Sequence, residues 1–287
     1  MIVKNESAVL ERCLRSLAGV DRIVVVDTGS TDGTPDIARQ FTPHVYEGEY
    51  VWQDDFSHAR NYALAKFKDG WVLTIDADEE LAPGQIPAIR DEIARAEADG
   101  RKTIVCRVTS LGGNETHFQP RIYKRHPEVF WKNPIHNVLS LCEGPATGIQ
   151  LYYGYSPAHE LDPDRALRIL KKEIKKNPND PRTCYYLARE YYYREDYDQA
   201  FQFYTTCIAN SSKSSERADA CLWAGKCLIQ SDLRQHAVHW VLRAVWENPQ
   251  FKEAWQVLTA LAPQQHRDFF GDIAVKANNR GVLFVRT

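Results

Sequence analysis

The spacing of apolar positions changes at about residue 160, and the change divides the chain. Before that point, short β-branched runs alternate with stretches whose apolar residues recur every three or four positions. Met1–Lys4 reads as a short strand. Ser7–Leu17 follows as a helix, with Leu10, Cys13, Leu14 and Leu17 on one face and Gly19 just beyond its end. Ile23–Asp27 is a strand with the β-branching of one covered on both faces. Thr34–Phe41 is a helix, with Thr34 as N-cap and Pro35 at the first helical position. His44–Tyr46, Ser57–Phe67, Trp71–Ile75 and Ile86–Ala96 continue the alternation of strand and helix. Such βαβ order predicts an α/β domain with a mostly parallel sheet and helices on both faces. Thr103–Val108, Phe118–Tyr123 and Gln150–Tyr153 are further strands without helices between them, which predicts antiparallel or mixed pairing.

From Asp162 onward the period is helical only, and it repeats. Leu187, Ala188, Tyr191, Ala200, Tyr204 and Cys207 occupy the small and large packing positions of a tetratricopeptide unit. Ala224, Gly225, Leu228, Ala237, Val241, Ala244 and Pro249 occupy them again 37 residues later, the Ser-rich stretch near 211–215 lengthening the unit. Trp255 and Leu258 begin a third, incomplete unit. The chain is therefore expected to divide into a domain over 1–160 and an all-α tetratricopeptide-like domain over 161–287. The tyrosines of 185–193 are expected to pack rather than to bind. Repeats of this kind present a surface for protein or peptide contact.

Composition removes several classes of function. A net charge of −2 with no long basic run gives no strong nucleic-acid signal and no case for an anionic membrane. No apolar stretch approaches the roughly 20 residues of a membrane span, and the apolar part of MIVKNES is too short for a signal peptide. The seven cysteines are scattered, with no C-x-x-C pair, which suits reduced thiols in a cytoplasm.

The candidate chemistry lies at strand ends, where open α/β sheets bind ligands. IVVVDTGSTDGT, residues 23–34, runs from a buried strand into Asp27 and a loop of small polar residues. WVLTIDADEEL, residues 71–81, places Asp76 and Asp78 at i and i+2 of an extended segment, hence on one side. Two such carboxylates repel unless a divalent cation lies between them, and hard oxygen ligands suit Mg²⁺ or Mn²⁺ with diphosphate oxygens completing the shell. Glu6 ends the first strand in the same way. P-loop, dinucleotide-turn and nucleophile-elbow motifs are missing.

MIVKNES, IVVVDTGSTDGT, WQDDFSHARNYAL and WVLTIDADEEL, in that order, resemble family-2 glycosyltransferases of the GT-A fold. The branch is the one with tetratricopeptide-like helices after the catalytic domain, to which sublancin-type S-glycosyltransferases are similar. The resemblance implies metal-dependent, inverting transfer of a hexose or N-acetylhexosamine from a UDP-sugar to an acceptor such as a peptide or glycan. It implies that Asn5, Glu6, Asp27, Ser30, Asp32, Arg60, Asp76 and Ala77 line the nucleotide-sugar site. Asp76, Asp78 and His136 would hold the metal. Asp78 would act at the reacting centre, and Glu79, Glu80 or Glu115 would supply the base. Two positions depart from the family pattern: Asn137 replaces the Glu expected after His136, and Tyr153 replaces a His before Gly154-Tyr155, with His159 nearby. An alternative is a partner-binding repeat module whose transferase domain binds nucleotide but turns over weakly. A nucleotidyltransferase would need a basic, Gly-rich loop after the first strand, which VKNESAVLERCL lacks.

Overall fold

A computed structural model describes residues 1–113 and 115–282. It divides into two compact units, one over residues 1–165 and one from Ala166 onward.

In the first unit, β1 (Ile2–Val3), β2 (Val25–Asp27) and β3 (Val45–Tyr46) form a parallel sheet in that order. Between them run α1 (Leu10–Ser16) and α2 (Thr34–Arg39), and α3 (Phe56–Leu64) follows β3. The unbroken apolar run before Asp27 has a direct cause. Val25 packs with Leu10, Cys13 and Leu14 of α1, while Val24 and Val26 face Ala59 and Ala63 of α3. Both faces are covered, so neither set of alternate positions tolerates a polar side chain.

A second sheet has the order β4 (Trp71–Leu73), β7 (Thr116–Lys124), β6 (Thr103–Ser110), β10 (Ala146–Tyr153), β5 (Glu79–Leu81), with α4 (Gln85–Ala98) packed on its β6 and β10 strands. Its pairing is mixed: β10 runs parallel to β6, and the other three pairs are antiparallel. A small hairpin of β8 (Trp131–Lys132) and β9 (Val138–Leu139) completes the unit. Parallel order thus holds for β1–β3 and for β6 with β10, and the direct β6–β7 connection, which carries no helix, is antiparallel as expected.

The cap of α2 differs from the sequence expectation. Gly33 is the N-cap and Pro35 lies one position later than expected. The Thr34 hydroxyl is already engaged, donating to Asp32 and accepting the Glu6 amide at 2.8 Å.

The second unit is helical: α5 (Arg165–Lys176), α6 (Pro181–Tyr193), α7 (Tyr197–Asn210), α8 (Ser214–Gln230), α9 (Arg234–Glu247), α10 (Lys252–Leu261) and α11 (Arg267–Lys276). Helices α6 to α11 form three successive hairpins of tetratricopeptide type. Aspartates cap two of them, Asp180 accepting the Thr183 amide at 2.7 Å and Asp196 that of Gln199 at 3.2 Å. Tyr185 is buried and donates to Asp219, Tyr191 stacks on Phe203, and Tyr192 meets Trp223 edge-on. Trp255 of the third hairpin stacks on Phe270 at 6.2 Å.

The small repeat positions are fixed by contact between helices. A Cβ on Gly225 would lie 2.8 Å from Val241 Cγ2 of α9 and 3.4 Å from the Ala237 carbonyl oxygen. Gly225→Ala is therefore expected to destabilise the chain by about 1–3 kcal/mol through overpacking, despite the better helix propensity of alanine. Thermal unfolding measures the loss, and Val241→Ala in the same chain should recover it. A stabilised Gly225→Ala single variant would show that the two helices can simply move apart.

Candidate active site

The ends of β1 and β2 are tied together through backbone and loop. Asn5, at φ +57°, turns the chain out of β1; its amide donates to Ser30 Oγ at 2.9 Å and its side-chain oxygen accepts the Thr31 amide at 2.7 Å. Asp27 is buried, and its carboxylate closes its own loop by accepting the Gly29 and Ser30 amides, both at 3.0 Å, and the Ser30 hydroxyl. Asp32 accepts the Thr34 amide at 3.0 Å and the Ser7 amide at 3.2 Å. These short polar side chains satisfy turn amides that would otherwise lack partners. Asn5, Asp27, Ser30 and Asp32 therefore build the rim as a connected loop.

Asp76, Ala77 and Asp78 form the turn between β4 and β5. Arg60 of α3 donates to Asp76 at 2.7 Å, while its guanidinium sits 5.0 Å from the centre of the Trp131 ring. Arg121 of β7 lies 3.6 Å from the other Asp76 oxygen and pairs with Glu79. Glu79 in turn accepts the Asp76 amide at 2.9 Å. Burial pushes the Asp76 carboxyl upward, but Arg60 and Arg121 overcome it and hold the group at about 2. Asp78 shifts the opposite way: burial raises it, and the Asp76 charge raises it further. Its carboxylate makes no ion pair among the described residues. Glu6 is raised as well, first by burial and then by Asp78 and Asp76, although Ser156 Oγ donates to it at 2.5 Å.

Glu6, Asp76 and Asp78 thus feel one another's charge, and of the three only Asp76 has an ion-pair partner among the described residues. Gly154 at the end of β10 donates to the Asp78 carbonyl at 2.8 Å. A Cβ on Gly154 would meet Leu111 Cδ1 at 3.0 Å and Arg12 Nη2 at 3.1 Å, so these two side-chain ends would have to give way to a larger residue.

His136 occupies the exposed bend between β8 and β9 at φ +48°. Among the described residues no three His, Cys, Asp or Glu side chains gather closely enough to hold a metal, so His136 does not form such a set with Asp76 and Asp78. The base candidates differ in environment. Glu79 is buried against Arg121, and Glu80 pairs with Arg12 at 2.8 Å. Glu115 is exposed and accepts from the Tyr153 hydroxyl at 2.8 Å. A cavity of about 80 Å³ at the other end of β1, lined by Met1, Val24, Leu73 and Tyr123, shares Arg60 with this cluster but no acidic residue.

Residues 1–147 match the family model described as "Glycosyl transferase family 2", which is more than half of the chain. The chain belongs to glycosyl transferase family 2. Among curated proteins this chain is 35% identical over 140 residues to a "TPR repeat-containing protein" of Synechococcus elongatus, covering 48% of this chain and 34% of the relative. It is 23% identical over 230 residues to glycosyltransferase SunS of Bacillus phage SPbeta, covering 76% of this chain and 54% of SunS. The chain thus spans between a third and about half the length of these relatives. Over 83 residues it is 32% identical to the lipopolysaccharide core biosynthesis glycosyltransferase LpsC of Rhizobium meliloti, covering 28% of this chain and 31% of LpsC.

Sequence reasoning missed two features of the candidate site. Arg121 lay inside a run read as an ordinary strand, although an arginine among apolar strand residues is rarely buried without a partner. Ser156 was not singled out, yet it links the segment after β10 to Glu6. No helix among the described residues is long and apolar enough to cross a membrane.

Proposed function

We propose that the first unit is a metal-dependent, inverting glycosyltransferase that takes a hexose or N-acetylhexosamine from a UDP-sugar. The observation that carries the reading is the asymmetry of the acidic pair. Asp76 is neutralised by two guanidiniums, whereas Asp78, two residues on, keeps an unpaired carboxylate beside it and beside Glu6. An unpaired acid in such surroundings is relieved by a bound cation.

The residues fit a divalent ion of the Mn²⁺ or Mg²⁺ kind. Such ions use one or two carboxylates and take their remaining ligands from water and substrate phosphates, so an open site without three protein ligands suits them. Asp78 would hold the ion, with His136 as a further candidate, while Asp76, the other acid of the pair, is held back by its two arginines. When bound, the ion supplies charge neutralisation for the departing diphosphate. Asn5, Asp27, Ser30 and Asp32 shape the wall against which the nucleoside lies. Arg60, whose Nε and Nη1 are buried without a hydrogen-bond partner, offers donors to the diphosphate or the sugar. Among the three base candidates Glu115 is favoured, because Glu79 and Glu80 are each paired with an arginine. It would take the proton from an acceptor hydroxyl or thiol. The helical hairpins would offer a surface for a protein or peptide.

Calorimetry with UDP tests the metal requirement, and affinity should fall at least tenfold when Mn²⁺ is replaced by chelator. A panel of nucleotide sugars, scored by nucleotide released with and without Mn²⁺, tests turnover. Equal UDP affinity in both conditions would remove the metal from the proposal. Tight UDP binding with no turnover on any donor would favour the partner-binding alternative.

A further inference from the structure

Arg121 is aimed at the acidic turn by an irregularity in its own strand. On one side of it Ile122 pairs with Ile104, and on the other Pro120 pairs with Val105, so Arg121 is the extra residue of a β-bulge. A bulge bends the strand and re-aims the side chain it carries, and proline is tolerated beside one because ladder bonding is already interrupted. The Arg121 carbonyl still accepts the Thr74 amide at 2.9 Å, which keeps β7 against the segment leading into Asp76. The guanidinium, only 8% exposed, reaches beneath the turn to Glu79 and to Asp76. Glu79 accepts the Asp76 amide, so carboxylate, guanidinium, carboxylate and amide close a ring around one turn.

Fold stability alone does not call for this arrangement. A buried ion pair is often matched or exceeded in stability by an apolar pair of similar volume, because both charges must be desolvated. Glu79 is 4% exposed, and Ile122 and Tyr123, which follow Arg121, are each 1% exposed. The ring does something an apolar pair would not do. It holds one oxygen of Asp76 while Arg60 holds the other.

We propose that Arg121 is a positioning residue of the transfer site, keeping Asp76 committed to the two arginines so that Asp78 alone faces the cation. This rests on the metal-dependent reading given above. Without Arg121, Asp76 keeps only Arg60 and its second oxygen can turn to join Asp78 on the ion, which brings one more carboxylate charge to the place an anionic diphosphate must approach. Mn²⁺ affinity and UDP affinity should then move in opposite directions.

Calorimetry on the full chain, with Mn²⁺ alone and with UDP in saturating Mn²⁺, reads both. Arg121→Met should bind Mn²⁺ alone at least threefold more tightly and UDP at least tenfold more weakly. Arg121→Lys, which keeps the charge but loses the fork, should leave Mn²⁺ affinity within twofold of wild type. The Arg121→Met/Glu79→Met double variant guards against misfolding, since it replaces both members of the ion pair by apolar side chains, and it should show the same opposed shifts. Two affinities within twofold of wild type in the double variant would overturn the proposal, because the pair would then serve the fold alone. A parallel fall of both would overturn it as well. Wild-type UDP affinity that ignores chelator would instead remove the metal reading, and the UDP arm of the double variant would still test the hold on Asp76.

Discussion

Asp78→Ala is expected to reduce sugar transfer at least a hundredfold while leaving the fold intact. On the proposed reading this carboxylate holds the ion that stabilises the departing diphosphate. Such stabilisation contributes several kcal/mol to the transition state, and each 1.4 kcal/mol is about tenfold in rate. The carboxylate forms no ion pair among the described residues, so its removal leaves no buried cation without a partner. The backbone of the turn is held elsewhere, by Gly154 on the Asp78 carbonyl and by Glu79 on the Asp76 amide. Release of nucleotide from the best donor of the panel measures the rate, and circular dichroism checks the fold. A rate within a few-fold of wild type in a folded variant would mean that the acid pair has no part in transfer.

The contrast between Asp78 and Asp76 could be read only in part from the sequence. Their i, i+2 spacing placed both at a strand end on one side, and that much follows from the period of an extended chain. What distinguishes them comes from residues distant along the chain, Arg60 on a helix and Arg121 on a strand more than forty positions later. Arg121 escaped notice because a bulge breaks the period on which a strand reading depends. The strand Glu79–Leu81 was unread for a related reason. It has two acidic residues in three, and it is extended because β10 pairs with it, Tyr153 opposite Glu79 and Leu151 opposite Leu81. By contrast, the apolar run of residues 23–26 and the small residues of the helical hairpins were legible. In each, one packing demand dictates the residue type, whether a strand covered on both faces or two helices in close approach. Thr34 shows the limit of local rules, since its hydroxyl serves Glu6 across the loop rather than the helix it begins.

The same asymmetry predicts that the two aspartates differ in sign as well as in size when stability is measured. Asp76 has a carboxyl held at about 2, below its ordinary 3.8, so its contribution is complete above pH 3.8 and is lost as pH falls through 2. The shift corresponds to about 2 kcal/mol, a figure tempered by the partial solvent access of the carboxylate. Asp76→Ala should cost more than this, about 3 kcal/mol, because Arg60 is left buried without its counter-charge. For a chain of this size that lowers the melting temperature by roughly 6–12 °C. Asp78 has a folded-state pKa raised by burial and by Asp76, so its ionised form is penalised at neutral pH and relieved as pH falls below the raised value. Asp78→Asn removes that penalty, and without metal its melting temperature should equal or exceed that of wild type. Added Mn²⁺ with UDP should raise the wild-type melting temperature, as any ligand of the folded state does, and leave that of Asp78→Asn nearly unmoved. Calorimetric melting at pH 7, with and without Mn²⁺ and UDP, gives all of these values. A destabilised Asp78→Asn, or an Asp76→Ala as stable as wild type, would show that the two arginines do not divide the acidic pair into a structural member and a free one.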